Sequence, residues 1–166
     1  MDNIIPALLA LGVLVLASMT LGRSGVSSFS QLGDAWHDAE ERSLERVRTE
    51  VSVSSVNVSG SDVDVTLRND GATELVDFSR MDVVVQYTSG AQNYIKYVDF
   101  TTDTLTQPDD TWVVTAVSDD VIDPGVLNTG ETLHIRIRLN PSVGTGSHWV
   151  QVTTELGVSA ATFFTN

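Results

Sequence analysis

The sequence predicts an α+β fold, in which a long N-terminal hydrophobic α-helix precedes an all-β antiparallel sandwich or barrel head. Three observations predict it. The stretch Ile4–Leu21 contains no charged residue. The segment from about Val26 to Val51 carries apolar residues at helical spacing, and after Val51 the apolar period changes from helical to two. The predicted domains are residues 1–50, an assembly or transmembrane helix, and residues 51–166, a β-sandwich head.

The composition of the chain limits its function. The 166 residues include no cysteine, so disulfides and thiol chemistry are excluded. The net charge of −13 argues against binding to nucleic acid, because phosphate contacts need a basic face. It also argues against adsorption to anionic lipid. We interpret the acidity as a surface that stays dispersed in salty or divalent-rich surroundings.

The apolar run near the N-terminus allows three interpretations. At about 1.5 Å per residue, a helix over Ile4–Leu21 is roughly 27 Å long, close to the hydrocarbon thickness of a bilayer. A cleaved secretory signal fits poorly, because Met1, Asp2 and Asn3 include no basic residue and the run exceeds a typical signal core. A permanent membrane anchor fits the length. The third interpretation is an assembly helix that leaves the membrane to pack into a fibre.

The second half of the predicted helix is amphipathic. Taken as one element, the helix would contain about 48 residues and measure roughly 70 Å. We expect its apolar face to lie against the head, with Trp36 on the side toward the head. The apolar face consists of Phe29, Leu32, Trp36, Ala39, Leu44, Val47 and Val51.

The rest of the chain has the pattern of short strands, with turn signals every 8–12 residues or so, which is typical of an antiparallel sandwich or barrel. The turn signals include Ser59-Gly60, Asn69-Asp70-Gly71 and Ser89-Gly90. Strands are predicted at about residues 51–58, 63–67, 81–88, 93–101, 111–117, 133–139, 149–152 and 158–164.

With this architecture in view, the sequence resembles the archaellins, the filament subunits of the archaeal swimming organelle, within the type IV pilin-like superfamily. Three segments carry the resemblance: the helix Ile4–Leu21, the segment LRNDGATELVDFSRMDVVVQY (Leu67–Tyr87) and the closing VTTELGVSAATFF (Val152–Phe164). Two features depart from the family pattern. The short basic leader of the precursor is missing before the apolar run, and the fifth position holds Ile5 where bacterial type IV pilins carry glutamate.

The resemblance implies a structural subunit of a helical cell-surface filament, which forms a homo-polymer with minor or second subunits. The chain would wait in the cytoplasmic membrane and then exchange lipid for like helices in an extracellular filament. The alternative is a membrane-anchored stator or adhesion module whose β head binds the cell-surface layer or another partner. In the filament, the assembly core would be Ile4, Ile5, Leu8, Leu9, Leu11, Val13, Leu14, Val15 and Leu16.

Few residues suggest chemistry. Asn57-Val58-Ser59 is a glycosylation sequon, so Asn57 is a candidate for carrying a glycan. Asp119, Asp120 and Asp123 would allow a calcium ion, but their spacing does not match an EF-hand, and a solvated acidic loop is the simpler interpretation. The three histidines are widely separated, and no nucleophile-elbow motif is present. We therefore predict no metal site, no cofactor and no enzymatic activity.

Overall fold

The structure is a computed structural model that describes residues 11, 14, 35–37, 39–120 and 122–166. The chain divides into two compact units, Met1–Ser43 and Leu44–Asn166. In the first unit, the described residues 11, 14, 35–37 and 39–43 are helical. The second unit begins with the end of this helical segment, residues 44–48, and then forms strands.

Eight β-strands make up most of the second unit. They form where apolar residues, largely valine, recur at every second position, so that one side of each strand is buried. This alternation is clearest in β2, β3, β6 and β7. The strands are β1 (Val51–Ser59), β2 (Asp62–Asn69), β3 (Asp82–Ser89), β4 (Gln92–Phe100), β5 (Thr111–Ser118), β6 (Thr132–Arg138), β7 (Ser147–Thr153) and β8 (Ser159–Thr165), with a short 3-10 helix at Phe78–Arg80 between β2 and β3.

The strands are arranged in the order β1-β2-β6-β5-β4-β3-β7-β8. Two four-stranded antiparallel sheets, β1-β2-β6-β5 and β4-β3-β7-β8, are joined by a short parallel ladder between β4 and β5. This ladder contains only the pairs Asp99↔Thr111 and Phe100↔Trp112. At the far edges, β1 and β8 approach each other without pairing, so the sandwich is nearly closed.

The core lies between the two sheets. Trp112 is fully buried and packs edge-on against Phe100, with the ring centroids 4.8 Å apart. Tyr87 stacks on Tyr94 at 5.3 Å, and burial raises the pKa of the Tyr87 hydroxyl to about 12. Because both sheets supply these side chains, the core ties the sheets together. Around the aromatic residues lie Val63, Val65, Leu67, Val83, Val85, Leu133, Ile135, Ile137, Val150 and Val152.

A network of backbone hydrogen bonds holds the chain where it enters β1. The amides of Asp70 and Gly71 both donate to the carbonyl oxygen of Glu50 at 2.9 Å, and the amide of Ala72 donates to Arg48 at 2.8 Å. The side chain of Asn69 is fully buried within this turn. We call the residues 48–50 and 69–72 the entry clamp.

The predicted α+β class is wrong: roughly half of the described residues lie in strands, and they contain one short helix and no long apolar one. The strands supply 16 of the 21 buried residues of the described core. Most of the apolar run on which the prediction relied lies outside the described residues. Among the described residues, no helix combines the length and apolar character needed to cross a bilayer.

On the second half of the helix, the described residues of the expected apolar face are largely exposed, and Phe29 and Leu32 lie outside the described residues. Trp36 is 70% exposed, and Leu44 and Val47 are exposed as well. Within the second unit, residues 44–50 are instead attached through polar groups. Arg46 Nη2 donates to the carbonyl oxygen of Gly157 at 2.9 Å, and Thr73 Oγ1 donates to that of Glu45 at 3.1 Å. Of the expected face, Val51 is buried, and it is already the first residue of β1.

Candidate protein-binding surface

The outer side of the β4-β3-β7-β8 sheet carries a continuous set of uncharged side chains. Strand register aligns them in two neighbouring rows that run across all four strands. We call these eight residues the neutral face. One row contains Ile95, Gln86, Trp149 and Phe163, and the other contains Tyr97, Val84, Gln151 and Ala161.

Three large apolar side chains of the neutral face are open to solvent. Phe163 is 75% exposed, Ile95 73% and Tyr97 60%. Trp149 and Val84 are half-buried between them. Single exposed apolar residues are ordinary, but a contiguous aromatic set without charge is typical of a protein-binding surface. It is the more notable because the whole chain carries a net charge of −13.

A small cavity of about 120 Å³ borders the neutral face at Trp149 and Phe163. Its wall also includes the polar side chains of Asn93 and Ser147, and the buried ring of His148. His148 is fixed from both sides: Nδ1 accepts from the amide of Thr88 at 3.3 Å, and Nε2 donates to the carbonyl oxygen of Gly144 at 2.9 Å. The cavity is therefore rigid on its inner wall and offers amide and hydroxyl groups beside two aromatic rings.

The border of the neutral face is acidic. Asp82 begins β3 and Asp99 lies near the end of β4. Both are exposed, and both lie at the end of the sheet beyond Tyr97. The Tyr97 hydroxyl donates a hydrogen bond to Asp82 Oδ1, and this bond is the main cause of the raised pKa of Tyr97. The bond also fixes the tyrosine ring on the face. An apolar centre with a charged border is the usual anatomy of a protein interface.

The outer side of the other sheet is built differently. Two cross-strand ion pairs join β2 to β6: Arg138 contacts Asp62 at 2.8 Å and Arg136 contacts Asp64 at 3.0 Å. Arg138 binds both carboxylate oxygens of Asp62. Such a ladder suits a surface that stays in contact with water. The two outer sides of the sandwich therefore differ in chemistry, and the neutral face is the candidate for a docking surface.

The Asp62–Arg138 pair leads to a prediction about acid stability. The hydrogen bond from Arg138 lowers the pKa of Asp62 below its ordinary value of 3.8. Because the folded-state pKa lies below the unfolded one, the pair stabilises the fold above that ordinary value, and this contribution is lost as the pH falls through the lowered pKa. We expect NMR titration of Arg138→Gln to show the Asp62 pKa moving back up toward its ordinary value, and chemical denaturation at pH 7 to show a lower free energy of unfolding than that of the wild type. An unchanged Asp62 titration would contradict this assignment.

The structure describes only part of the site predicted from the sequence. Of the proposed assembly core, Leu11 and Leu14 are described, both helical and exposed; Ile4, Ile5, Leu8, Leu9, Val13, Val15 and Leu16 lie outside the described residues. Asn57 is exposed in the edge strand β1, so its glycosylation stays a prediction. In the acidic loop, Asp120 accepts a hydrogen bond from the amide of Gly125 at 3.0 Å. No potential metal-ligand cluster occurs among the described residues.

Our sequence analysis missed the neutral face because its residues come from four strands. A weak signal was present in the strand sequences. In NYIKYVDF, Ile95 and Tyr97 alternate with the inward-facing Tyr94 and Val98, so apolar residues occupy both sides of one strand. Such a strand is either buried on both sides or carries an apolar outer surface. The sequence does not distinguish these two cases without the strand order.

Comparison with known proteins identifies the β domain. The family model described as conserved flagellar protein F, immunoglobulin-like domain, matches residues 47–162. No curated protein matches the chain. Among solved structures, the archaellum periplasmic stator protein FlaG from Sulfolobus acidocaldarius is similar, with 20% identity, a TM-score of 0.52, and coverage of 70% of this chain and 99% of that one.

Two further structures are similar over the same part of the chain. The archaellum periplasmic stator protein complex FlaF and FlaG from Sulfolobus acidocaldarius has 19% identity, a TM-score of 0.52, and coverage of 70% of this chain and 89% of that one. The archaeal flagellin FlaB1 from Methanocaldococcus jannaschii has 13% identity, a TM-score of 0.48, and coverage of 70% and 90%. At these identities, the two stator structures show a shared fold.

These findings support part of the resemblance seen in the sequence. They support an archaellum-related protein, without support for an archaellin specifically or for a homo-polymeric filament. The family model covers most of the chain, including all strands except the last residues of β8. The chain therefore belongs to the family described as conserved flagellar protein F, immunoglobulin-like domain.

Proposed function

We propose that this protein is a stator-type subunit of the archaellum, placed at the cell surface, whose β-sandwich holds a second protein through the neutral face. The observation that carries the proposal is an uncharged aromatic surface on an otherwise acidic chain. Family membership supports a role in the archaellum. The similar structure of FlaF with FlaG is a complex of archaellum periplasmic stator proteins.

The partner that we propose is a FlaG-type stator subunit. An interface with Phe163, Ile95 and Trp149 at its centre buries apolar surface, and apolar burial is worth about 25 cal/mol per Å². The acidic border at Asp82 and Asp99 excludes partners with an acidic surface opposite it. The partner surface therefore has an apolar centre and neutral or basic groups at its border.

Lysine substitutions on the neutral face test this proposal. In Ile95→Lys and Phe163→Lys, an ammonium group replaces an exposed apolar side chain, so the fold tolerates it while the bound state must desolvate a charge. We expect each variant to weaken binding to the purified FlaG-type subunit of the same organism by about 30-fold or more, measured by titration calorimetry. In cells, we expect filaments to assemble and swimming to fail.

The matched control is Leu105→Lys, since Leu105 is a 94% exposed apolar residue in the loop before β5, away from the neutral face. It should bind like the wild type. Two outcomes would overturn the proposal: normal binding by both neutral-face variants, or loss of filaments from the cell surface in these variants. The second outcome would favour a role in building the filament.

A further inference from the structure

The two edge strands of the sandwich, β1 and β8, face each other across an open gap. Neither strand pairs on its outer edge with any described strand, yet their Cα atoms come within 8 Å of each other. The two strands are therefore near neighbours, but no backbone ladder joins them. A cavity of about 300 Å³ lies here, lined by residues 53–56 of β1 and 162–165 of β8. We call this gap the seam.

The seam lacks the charges and prolines that commonly protect edge strands. Natural edges are blunted by charged residues or proline, because unpaired backbone groups recruit other strands. Neither β1 (VSVSSVNVS) nor β8 (SAATFFT) contains a charged residue or proline, although the chain has 31 charged residues (9 + 22). β1 does contain a bulge between Val53 and Ser55, which leaves Ser54 without a partner on β2. Both walls of the seam are therefore uncharged.

The strand directions define what the seam can accept. From β1 across the sheets to β8 there are six antiparallel pairings and one parallel pairing, so β1 and β8 run in the same direction. A single added strand running the opposite way would be antiparallel to both. It needs about 9.6 Å between its neighbours, so β1 and β8 would have to move apart where their Cα atoms lie within 8 Å of each other.

The inner side of the seam specifies the side chains of such a strand. Val53, Val56 and Thr162 face the core side but are only half-buried. An added strand would place every second side chain against them, and apolar residues at those positions would complete the core. Because both walls are uncharged, its remaining side chains would be neutral.

We propose that the seam accepts an extended, uncharged segment of another protein, with apolar residues at alternate positions, which inserts antiparallel to both β1 and β8. The backbone ladders on both sides would provide most of the affinity, and the half-buried valines would select the alternating pattern. This site shares Phe163 of β8 with the neutral face, but it lies at the sheet edge and does not depend on the function proposed for that face.

A designed peptide tests the proposal directly. The probe is a nine-residue strand with valine at alternate positions, serine or threonine between them, and two lysines beyond its end for solubility. The control peptide has proline at its centre, which cannot complete the ladder. With the probe, we expect amide hydrogen exchange at residues 53–56 and 162–165 to slow by about tenfold or more, and exchange in the interior strand β6 to stay unchanged.

A spin label on the peptide tests its direction. A label at the N-terminal end should broaden resonances near Val58 and Thr165, and a label at the C-terminal end those near Val51 and Ala160. The proposal is overturned if the proline control protects the same amides, if the direction is reversed, or if protection appears at Ile95 and Tyr97 instead. The last result would assign strand binding to the neutral face.

An intramolecular version of this experiment does not depend on the affinity of a free peptide. Appending Asn-Gly and the same strand after Asn166 creates a hairpin with β8, whose second arm runs antiparallel to β8 and β1. We expect the melting temperature to rise by about 5 °C or more, and the matching extension with a central proline to leave it unchanged. Equal melting temperatures for the two extensions, together with no protection by the free peptide, would show that the seam does not accept a strand.

Discussion

Gly71→Ala is expected to destabilise the β domain by about 3 kcal/mol or more. A Cβ atom at position 71 would lie 2.3 Å from the amide nitrogen of Glu50 and 2.6 Å from the carbonyl oxygen of Arg48. Both are backbone atoms of the entry clamp, so no side chain can rotate away to relieve the clash. The amides of Asp70 and Gly71 would also lose their short hydrogen bonds to Glu50. Chemical denaturation of the full chain measures the change.

The matched control for this variant is Gly90→Ala. Gly90 has a φ of +59° in the β3–β4 turn, and a Cβ atom there meets nothing within 4 Å. Its cost is the backbone strain alone, about 1 kcal/mol. A loss for Gly71→Ala no larger than that for Gly90→Ala would contradict this expectation. It would mean that a small backbone shift relieves the contact between position 71 and the backbone of residues 48–50.

The second large effect is expected for Asn69→Asp. Asn69 Nδ2 donates to the carbonyl oxygens of Thr73 at 2.8 Å and Leu127 at 3.0 Å, and Oδ1 accepts from the amide of Gly71 at 3.1 Å. A carboxylate of the same shape keeps only the last bond and faces two carbonyl oxygens in a fully buried site. We expect the free energy of unfolding to fall by about 3 kcal/mol or more at pH 7.

The pH dependence of the stability of Asn69→Asp distinguishes an electrostatic cause of the destabilisation from a steric one. Burial raises the folded-state pKa of the introduced carboxyl group above its unfolded value, so the penalty is full above the raised pKa and shrinks as the pH falls through it. The protonated acid regains one donor. We therefore expect the variant to approach wild-type stability as the pH is lowered from 7 to about 5. The exposed Asn93→Asp should lie within about 0.5 kcal/mol of wild type at both pH values, and a pH-independent loss at position 69 would indicate a steric cause.

Much of the β domain follows from the sequence because its pattern is local. Each of the eight strands overlaps a range predicted from the sequence, and the turns at Gly60 and Gly90 have the positive φ that glycine permits. Trp112, which lies within the strand predicted at residues 111–117, is fully buried. These features depend on residues a few positions apart, which a sequence pattern records directly.

The fold class and the candidate site depend on contacts between distant residues. An uncharged run such as Ile4–Leu21 predicts a helix of that length by itself, but it does not show where the core of the chain lies. Phe163 and Ile95 stand in one row of the neutral face through β3 and β7, a relation set by strand order. The exposure of Trp36 was missed for the same reason, because helical spacing identifies an apolar face without identifying what covers it.

The entry clamp has a mechanical consequence for the stator-type role that we propose. Tension that reaches the β domain through Glu50 acts along β1, and β1 is held to β2 by hydrogen bonds perpendicular to that direction. Such a pull strains the whole β1–β2 ladder together instead of opening it one pair at a time. The bonds from Asp70, Gly71 and Ala72 extend this ladder to the point where force enters. The first strand is therefore anchored against peeling, and the sandwich resists extension in its strongest direction.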